Sequence, residues 1–257
     1  MATTSEKPPA NSADTTHFGF RDVPVADKAP LVRGVFERVA GSYDLMNDLM
    51  SGGIHRLWKA ELIAAVAPRA GELLLDVAGG TGDIATRFLA AAGEARALIC
   101  DINSAMLEVG RDRALDGGHI AGLNWITGDA ESLPIASGSV DVYTIAFGLR
   151  NVTRIDAALR EARRVLKPGG RFFCLEFSRV VVPGLAQLYD LYSFNVLPLL
   201  GQVVAGDREA YQYLAESIRR FPPQDELVQR MAAAGLGQPR YRNLSGGIAA
   251  IHSAWRI

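Results

Sequence analysis

Cysteine is scarce. Cys100 and Cys174 are the only two in 257 residues, and both sit in apolar, strand-like runs. That disfavours a disulfide framework and predicts buried free thiols in a reducing compartment. No run of about 18 apolar residues is free of charges or breakers, so no transmembrane helix is expected. The N-terminus lacks a secretory apolar region. It also lacks the Arg-rich, acid-poor character of a transit peptide, since its first charges are Glu6, Lys7 and Asp14. A bacterial cytoplasmic protein is expected. Charge of one sign is not in excess either: 27 Lys and Arg face 28 Asp and Glu, for a net charge of -1. No global field favours nucleic acid. No internal repeat is visible, and no metal site is expected.

What is present is an ordinary globular composition, 49% hydrophobic and 21% charged. It suffices for one large core, in a single domain with an elaborated insertion rather than two independent domains. Residues 1–16 are rich in Thr, Ser, Ala and Pro without apolar period and read as a disordered tail. The aromatics of His17–Asp27 suggest packing against the body. Residues 17–70 read as a helical preamble, with apolar spacing at Val32, Val35, Phe36 and Val39, then at Leu45, Met46, Leu49 and Met50, then over Ile54–Ala67.

From residue 71 to 257 the texture is strand–helix alternation, the pattern of a parallel sheet covered by helices. Strands are predicted at Leu73–Val77, Ala97–Asp101, Leu123–Thr127, Val140–Ala146 and Arg171–Phe177. Helices are predicted at Asp83–Ala91, Ser104–Leu115 and Arg154–Leu166, the last closed by a turn at Lys167–Gly170. About residues 179–222 the rhythm breaks into an aromatic, helical insertion. A short helix (Pro223–Ala234) and a final strand pair (Leu236–Leu244 and Gly247–Ile257) follow.

The chain is organised around Leu73–Asp83, LLLDVAGGTGD. A buried strand runs into Gly79, Gly80, Thr81 and Gly82, and a helix opens at Asp83. Glycines there allow backbone angles that a β-carbon forbids and let a ligand approach the main chain. A dinucleotide site wants G-x-G-x-x-G with its pyrophosphate on the helix N-terminus. Here the order differs, and the carboxylate of Asp83 would repel a phosphate. Asp101 ends the second strand and suits ribose hydroxyls in either ligand class. Asp129, after the third strand, suits an adenine amino group, with Ala130 beside it. Acids after three successive strands and no phosphate cradle favour S-adenosylmethionine over NAD.

Seven segments carry a resemblance: YDLMNDLMSGGIHRLWK (Tyr43–Lys59), LDVAGGTGDIA (Leu75–Ala85), DIN with SAML (Asp101–Leu107), GDAESLP (Gly128–Pro134), FGLRNV (Phe147–Val152), RVLKPGGRFFCLEFS (Arg164–Ser178) and YSFNVLPLLG (Tyr192–Gly201). From about His17 onward the chain resembles the UbiE/MenG quinone C-methyltransferases, a branch of the class I S-adenosylmethionine-dependent methyltransferases. The glycine turn and LKPGG are common to many methyltransferases; the first, fifth and seventh segments together are specific. The resemblance implies a Rossmann-like, mostly parallel seven-stranded sheet flanked by helices, with a helical N-terminal preamble and a helical insertion before the last strands. It implies methyl transfer to a ring carbon of a polyprenylated benzoquinol or naphthoquinol in ubiquinone or menaquinone biosynthesis. The alternative is a class I methyltransferase acting on another small-molecule acceptor.

Carried over, Thr81, Asp101, Asp129 and Ala130 contact S-adenosylmethionine, with Gly79, Gly80 and Gly82 forming the turn. Relatives often carry Ser before FGLRN; Ala146 here offers no hydroxyl. Arg150, Asn151 and Tyr43 are the expected catalytic group. Arg150 stays charged, so polarising a water or the quinol oxygen suits it better than accepting a proton. His55 is a lesser candidate base, and Glu176 either faces the pocket or pairs with an Arg. The Met-rich preamble and the insertion Leu188–Val204 are candidate grooves for a prenyl tail. The expected partners are the polyprenyl quinol, the inner face of the cell membrane through peripheral contact, and a second copy or other quinone-biosynthesis enzymes.

Overall fold

Leu73–Val77, LLLDV, is buried along almost its whole length because it lies at the centre of the sheet (β3). The structure is a computed structural model. It describes residues 15–39, 48, 51–118, 121–196, 199, 202 and 207–257, without the side chains of residues 39 and 188. Tyr43, the helix expected around it, Met46, Met50, His119 and much of the 188–204 segment lie outside the described residues.

The chain opens with β1 (Thr15–Phe18) and β2 (Arg21–Pro24), an antiparallel hairpin, followed by α1 (Val25–Val39) and α2 (His55–Val66). After β3 come α3 (Asp83–Ala92), β4 (Arg96–Asp101), α4 (Ser104–Asp116), β5 (Leu123–Thr127) and β6 (Val140–Ala146). A 3-10 turn at Leu149–Asn151, α5 (Ile155–Val165) and β7 (Leu166–Phe177) follow. The last elements are α6 (Leu185–Leu191), a π turn at Tyr192–Val196, α7 (Arg208–Arg220), α8 (Gln224–Ala233), β8 (Gly237–Leu244) and β9 (Ala249–Trp255).

The main sheet is seven-stranded, in the order β5-β4-β3-β6-β7-β9-β8. Its first five strands are parallel and β9 runs antiparallel to both neighbours. The chain steps outward from β3 to β5, then returns to β6 on the other side. That reversal leaves a crevice beyond the carboxyl ends of β3 and β6, where open α/β sheets take ligands.

Period-two alternation splits the core between the faces. Leu74, Ile99, Val142, Phe173 and Leu175 pack with Leu62, Val66 and Phe88 on one side. Leu75, Val77, Cys100, Tyr143, Ile145, Phe172 and Cys174 pack with Leu159, Ala162 and Met231 on the other. Both cysteines are free and buried, and burial pushes the Cys100 thiol up to about 12. In α5 the buried residues Ala158, Leu159, Ala162 and Val165 make one stripe, leaving Arg160 and its neighbouring arginines outward.

Two local features differ from what the sequence predicts. Lys167–Gly170, expected as a turn before the strand, lies within β7 as a bulge: Val140 pairs with Leu166, and Val142 with Arg171. Pairing with β6 on both sides carries the strand across the two glycines. The β1–β2 hairpin begins inside the expected tail, at Thr15. It is held by tertiary contacts rather than strand propensity. Phe18 stacks on Tyr213 with ring centroids 4.2 Å apart, and Phe20 N donates to Glu216 Oε2 at 2.9 Å.

Candidate active site

The glycine turn is tight because its neighbours leave no room. A β-carbon on Gly79 would lie 2.8 Å from Ile99 Cγ2 and 2.9 Å from the Asp76 carbonyl. Gly79 N donates to the Cys100 carbonyl at 3.2 Å, tying the turn to β4. Gly80 and Gly82 have φ of 52° and 79°, in the left-handed region. Two non-glycine residues share that region at the ends of adjacent strands: Ala78 (φ 51°) after β3 and Phe147 (φ 57°) after β6. Such backbone is held by its surroundings and clusters at ligand sites.

Asp101 is the hub of the turn. Its Oδ2 accepts from Gly80 N at 2.9 Å and its Oδ1 from Asn103 N at 2.9 Å. Burial raises its carboxyl above the usual range against the pull of these backbone N–H groups. The backbone N–H of Ile102 adds a third donor to the same carboxylate. Asp129 is pinned similarly, with Oδ1 accepting from Glu131 N at 2.9 Å. Gly80, Asp101, Asp129, Ala130 and Asn151 together line a cleft of about 800 Å³, which Ala29, Val32 and Phe36 of α1 close on the far side. Lys28 anchors that helix: its Nζ donates to the Val152 carbonyl at 3.1 Å, and burial lowers its ammonium to about 8.

A smaller pocket of about 350 Å³ opens on the other side of the turn. Thr81, Gly79, Asp76, Lys59, Asp83 and Ala146 line it. Ala78 and Phe147 border both spaces. Asp83 is not a bare charge: it accepts from Lys59 Nζ at 2.8 Å and from Arg87 Nε at 2.8 Å. Burial alone would raise its carboxyl, but these two cations hold it below its ordinary value. The repulsion argued from sequence for Asp83 is therefore offset in the fold, and the case against a pyrophosphate rests on the glycine spacing.

Asp76 was not among the expected site residues. Burial raises its carboxyl to about 7, against the hydrogen bond from Thr144. Thr144 Oγ1 donates to Oδ1 at 2.7 Å, while Oδ2 has no partner among the described residues. A carboxylate in an otherwise apolar strand was the available signal, because a buried charge needs a counterpart. The acceptor oxygens of Asp101, Asp129 and Asp76 that border these two spaces are of the kind the hydroxyl, amino and ammonium groups of S-adenosylmethionine require, so the donor set fits that cofactor.

Arg150 and Asn151 diverge. Asn151 lines the larger cleft, and its Oδ1 accepts from the Tyr213 hydroxyl at 3.0 Å. Arg150 is only 2% exposed. Its guanidinium donates to Glu176 Oε1 at 2.8 Å and to the Phe147 carbonyl, and lies 5.5 Å from the Phe177 ring centroid. Glu176 thus pairs with Arg150 rather than facing the cleft. Burial raises its carboxyl, with Arg150 opposing. His55, on α2, is buried, with Nδ1 3.0 Å from Ser51 Oγ. Burial and Lys59 lower its imidazole below its ordinary value. Gly82 packs under Trp125. Tyr213, Lys28 and the α1 face had no local signal, since each acts on residues far away in sequence.

Residues 22–256 match the ubiE/COQ5 methyltransferase family. The chain is 60% identical over 242 residues to the ubiquinone/menaquinone biosynthesis C-methyltransferase UbiE of Paracoccus denitrificans, covering 94% of this chain and 97% of that one. It is 58% identical over 247 residues to the protein of the same name from Cereibacter sphaeroides, covering 96% and 98%. Among solved structures, a methyltransferase from Thermotoga maritima superposes with TM-score 0.60 at 20% identity, covering 87% of this chain and 99% of that one, a likeness of fold. The chain belongs to the ubiE/COQ5 methyltransferase family.

Proposed function

We propose that this chain methylates a ring carbon of a polyprenylated quinol in ubiquinone or menaquinone biosynthesis, with S-adenosylmethionine as donor. The observation that carries the reading is the meeting of Asp101, Asp129 and Ala130 with Asn151 in one cleft. The relatives named for ubiquinone and menaquinone biosynthesis supply the acceptor class. When bound, S-adenosylmethionine supplies an electrophilic methyl on a sulfonium.

The chain's own groups then have these roles. Asp101 takes the ribose hydroxyls, and Asp129 the adenine amino group. Gly79, Gly80, Gly82 and Thr81 let the methionine part approach the backbone, and Asp76 accepts its ammonium. The quinol hydroxyl gives its proton to water. Asn151 donates to the oxygen left behind and stabilises the phenolate that makes the ring carbon nucleophilic, and the methylated ring carbon then loses its own proton to water. Arg150 acts from behind: paired with Glu176, it fixes the Phe147–Asn151 loop through the Phe147 carbonyl. Tyr43 joins the activating group on the substrate side.

Among the described residues, no helix is long and apolar enough to cross a membrane. A lipid acceptor then calls for peripheral contact. Leu191, Phe194 and Val196, exposed on the insertion, are the side chains for it. The test is methyl transfer to reduced benzoquinol and naphthoquinol acceptors, paired with liposome flotation. No transfer to either acceptor sinks the function; failure to float with vesicles sinks the membrane contact alone.

A further inference from the structure

Asn151 can face a substrate oxygen in two ways. Its amide offers a donor at one end and an acceptor at the other, and the two look alike in shape. Only the donor end stabilises a developing negative charge. What selects that end lies on another element, 62 residues away: the Tyr213 hydroxyl on α7, donating to Asn151 Oδ1 at 3.0 Å. That bond occupies the acceptor end and leaves the amide N–H groups for the cleft.

Tyr213 is itself held firmly. It is buried, and Phe18 of the N-terminal hairpin stacks on its ring with planes 19° apart. Burial raises its phenol well above the ordinary value, so it keeps its proton. A hydroxyl can also accept, so the amide's direction is set by the observed donation to Oδ1 and not by the protonation of the phenol. No other hydrogen bond of this hydroxyl occurs among the described residues. Asn151 also has its backbone set, since its N donates to the Gly148 carbonyl at 3.0 Å. The side-chain amide is the part left for Tyr213 to orient.

We propose that Tyr213 is a positioning residue for methyl transfer, its hydroxyl locking the Asn151 amide with the N–H end toward the quinol oxygen. This rests on the assignment of Asn151 above. It also connects the β1–β2 hairpin to the chemistry, because Phe18 fixes the ring that fixes the amide.

Tyr213→Phe keeps the ring and its stack and removes only the hydroxyl. Its turnover with a short-chain reduced quinol should fall on the order of 10²-fold, the scale of a misoriented catalytic group. Its affinity for S-adenosylmethionine should be unchanged by calorimetry, and its Tm within about 4 °C of the parent. Asn151→Ala should fall comparably, and the double variant should be no worse than either alone, because the two act as one unit. Normal turnover of Tyr213→Phe, losses that multiply in the double variant, or lost cofactor binding in Tyr213→Phe would each overturn the proposal. Normal turnover of Asn151→Ala removes the underlying assignment instead.

Discussion

Arg150 and Glu176 form an ion pair 2.8 Å apart, with side-chain exposures of 1% and 0%. Glu176 is the penultimate residue of β7, and its Oε2 also accepts from Arg150 N at 3.3 Å. The pair joins the FGLRN loop to the next strand from beneath the cleft. Breaking such a pair from one side leaves an uncompensated charge, at about 3–5 kcal/mol. Glu176→Leu should therefore lower the urea midpoint sharply. Arg150→Met with Glu176→Leu should regain most of that stability while turnover stays low and S-adenosylmethionine still binds. Full turnover in the double variant would remove Arg150 from the mechanism.

On the proposed reading, Asp76 should make cofactor affinity depend on pH. Its folded carboxyl titrates at about 7, against an ordinary value of 3.8. The unfolded chain loses that proton first as pH rises. The contribution to the ligand-free fold is therefore intact below about 4 and declines until pH passes 7. An ammonium beside Oδ2 favours the ionised form, so affinity should strengthen from pH 6 to 8. Isothermal titration across that range checks it. Asp76→Asn should flatten both profiles; an unchanged slope in the variant places the titration elsewhere.

Asp101 holds the turn through Gly80 N and Asn103 N, and on the proposed reading it holds the ligand as well. Asp101→Ala removes acceptors from Gly80 N and Asn103 N as well as from the ribose. Charged hydrogen bonds contribute about 1.5–3 kcal/mol each, so S-adenosylmethionine should bind at least on the order of 10²-fold more weakly. Binding within tenfold of the parent would contradict the role.

Gly79 tests the cradle sterically. A β-carbon there meets Ile99 and both the carbonyl and Oδ2 of Asp76 at 2.8–2.9 Å. Gly79→Ala must push the turn away from β4, for about 1–3 kcal/mol of stability. Cofactor affinity should fall with it. A thermal scan and a binding titration of the same preparation measure both.

The frame of the fold is written locally in the chain. Leu73–Val77 and Val140–Ala146 are readable to the residue because apolar runs encode buried parallel strands locally, and Leu123–Thr127, a half-exposed edge strand, is readable from the glycines on both sides of it. The glycine turn and the aspartates at strand ends were legible for the same reason: each follows its strand in the chain. What those residues meet is settled only by folding. Arginine reads as a surface side chain, yet Arg150 is buried because Glu176 arrives beside it from β7. Nothing near Asn151 in the chain foretells Tyr213. Gly19, with φ of 59°, supplies the turn of the Thr15–Pro24 hairpin, but its docking depends on Tyr213 and Glu216 from α7. Strand and turn follow from neighbours in sequence; the orientation of a polar group follows from partners that only folding brings within about 3 Å.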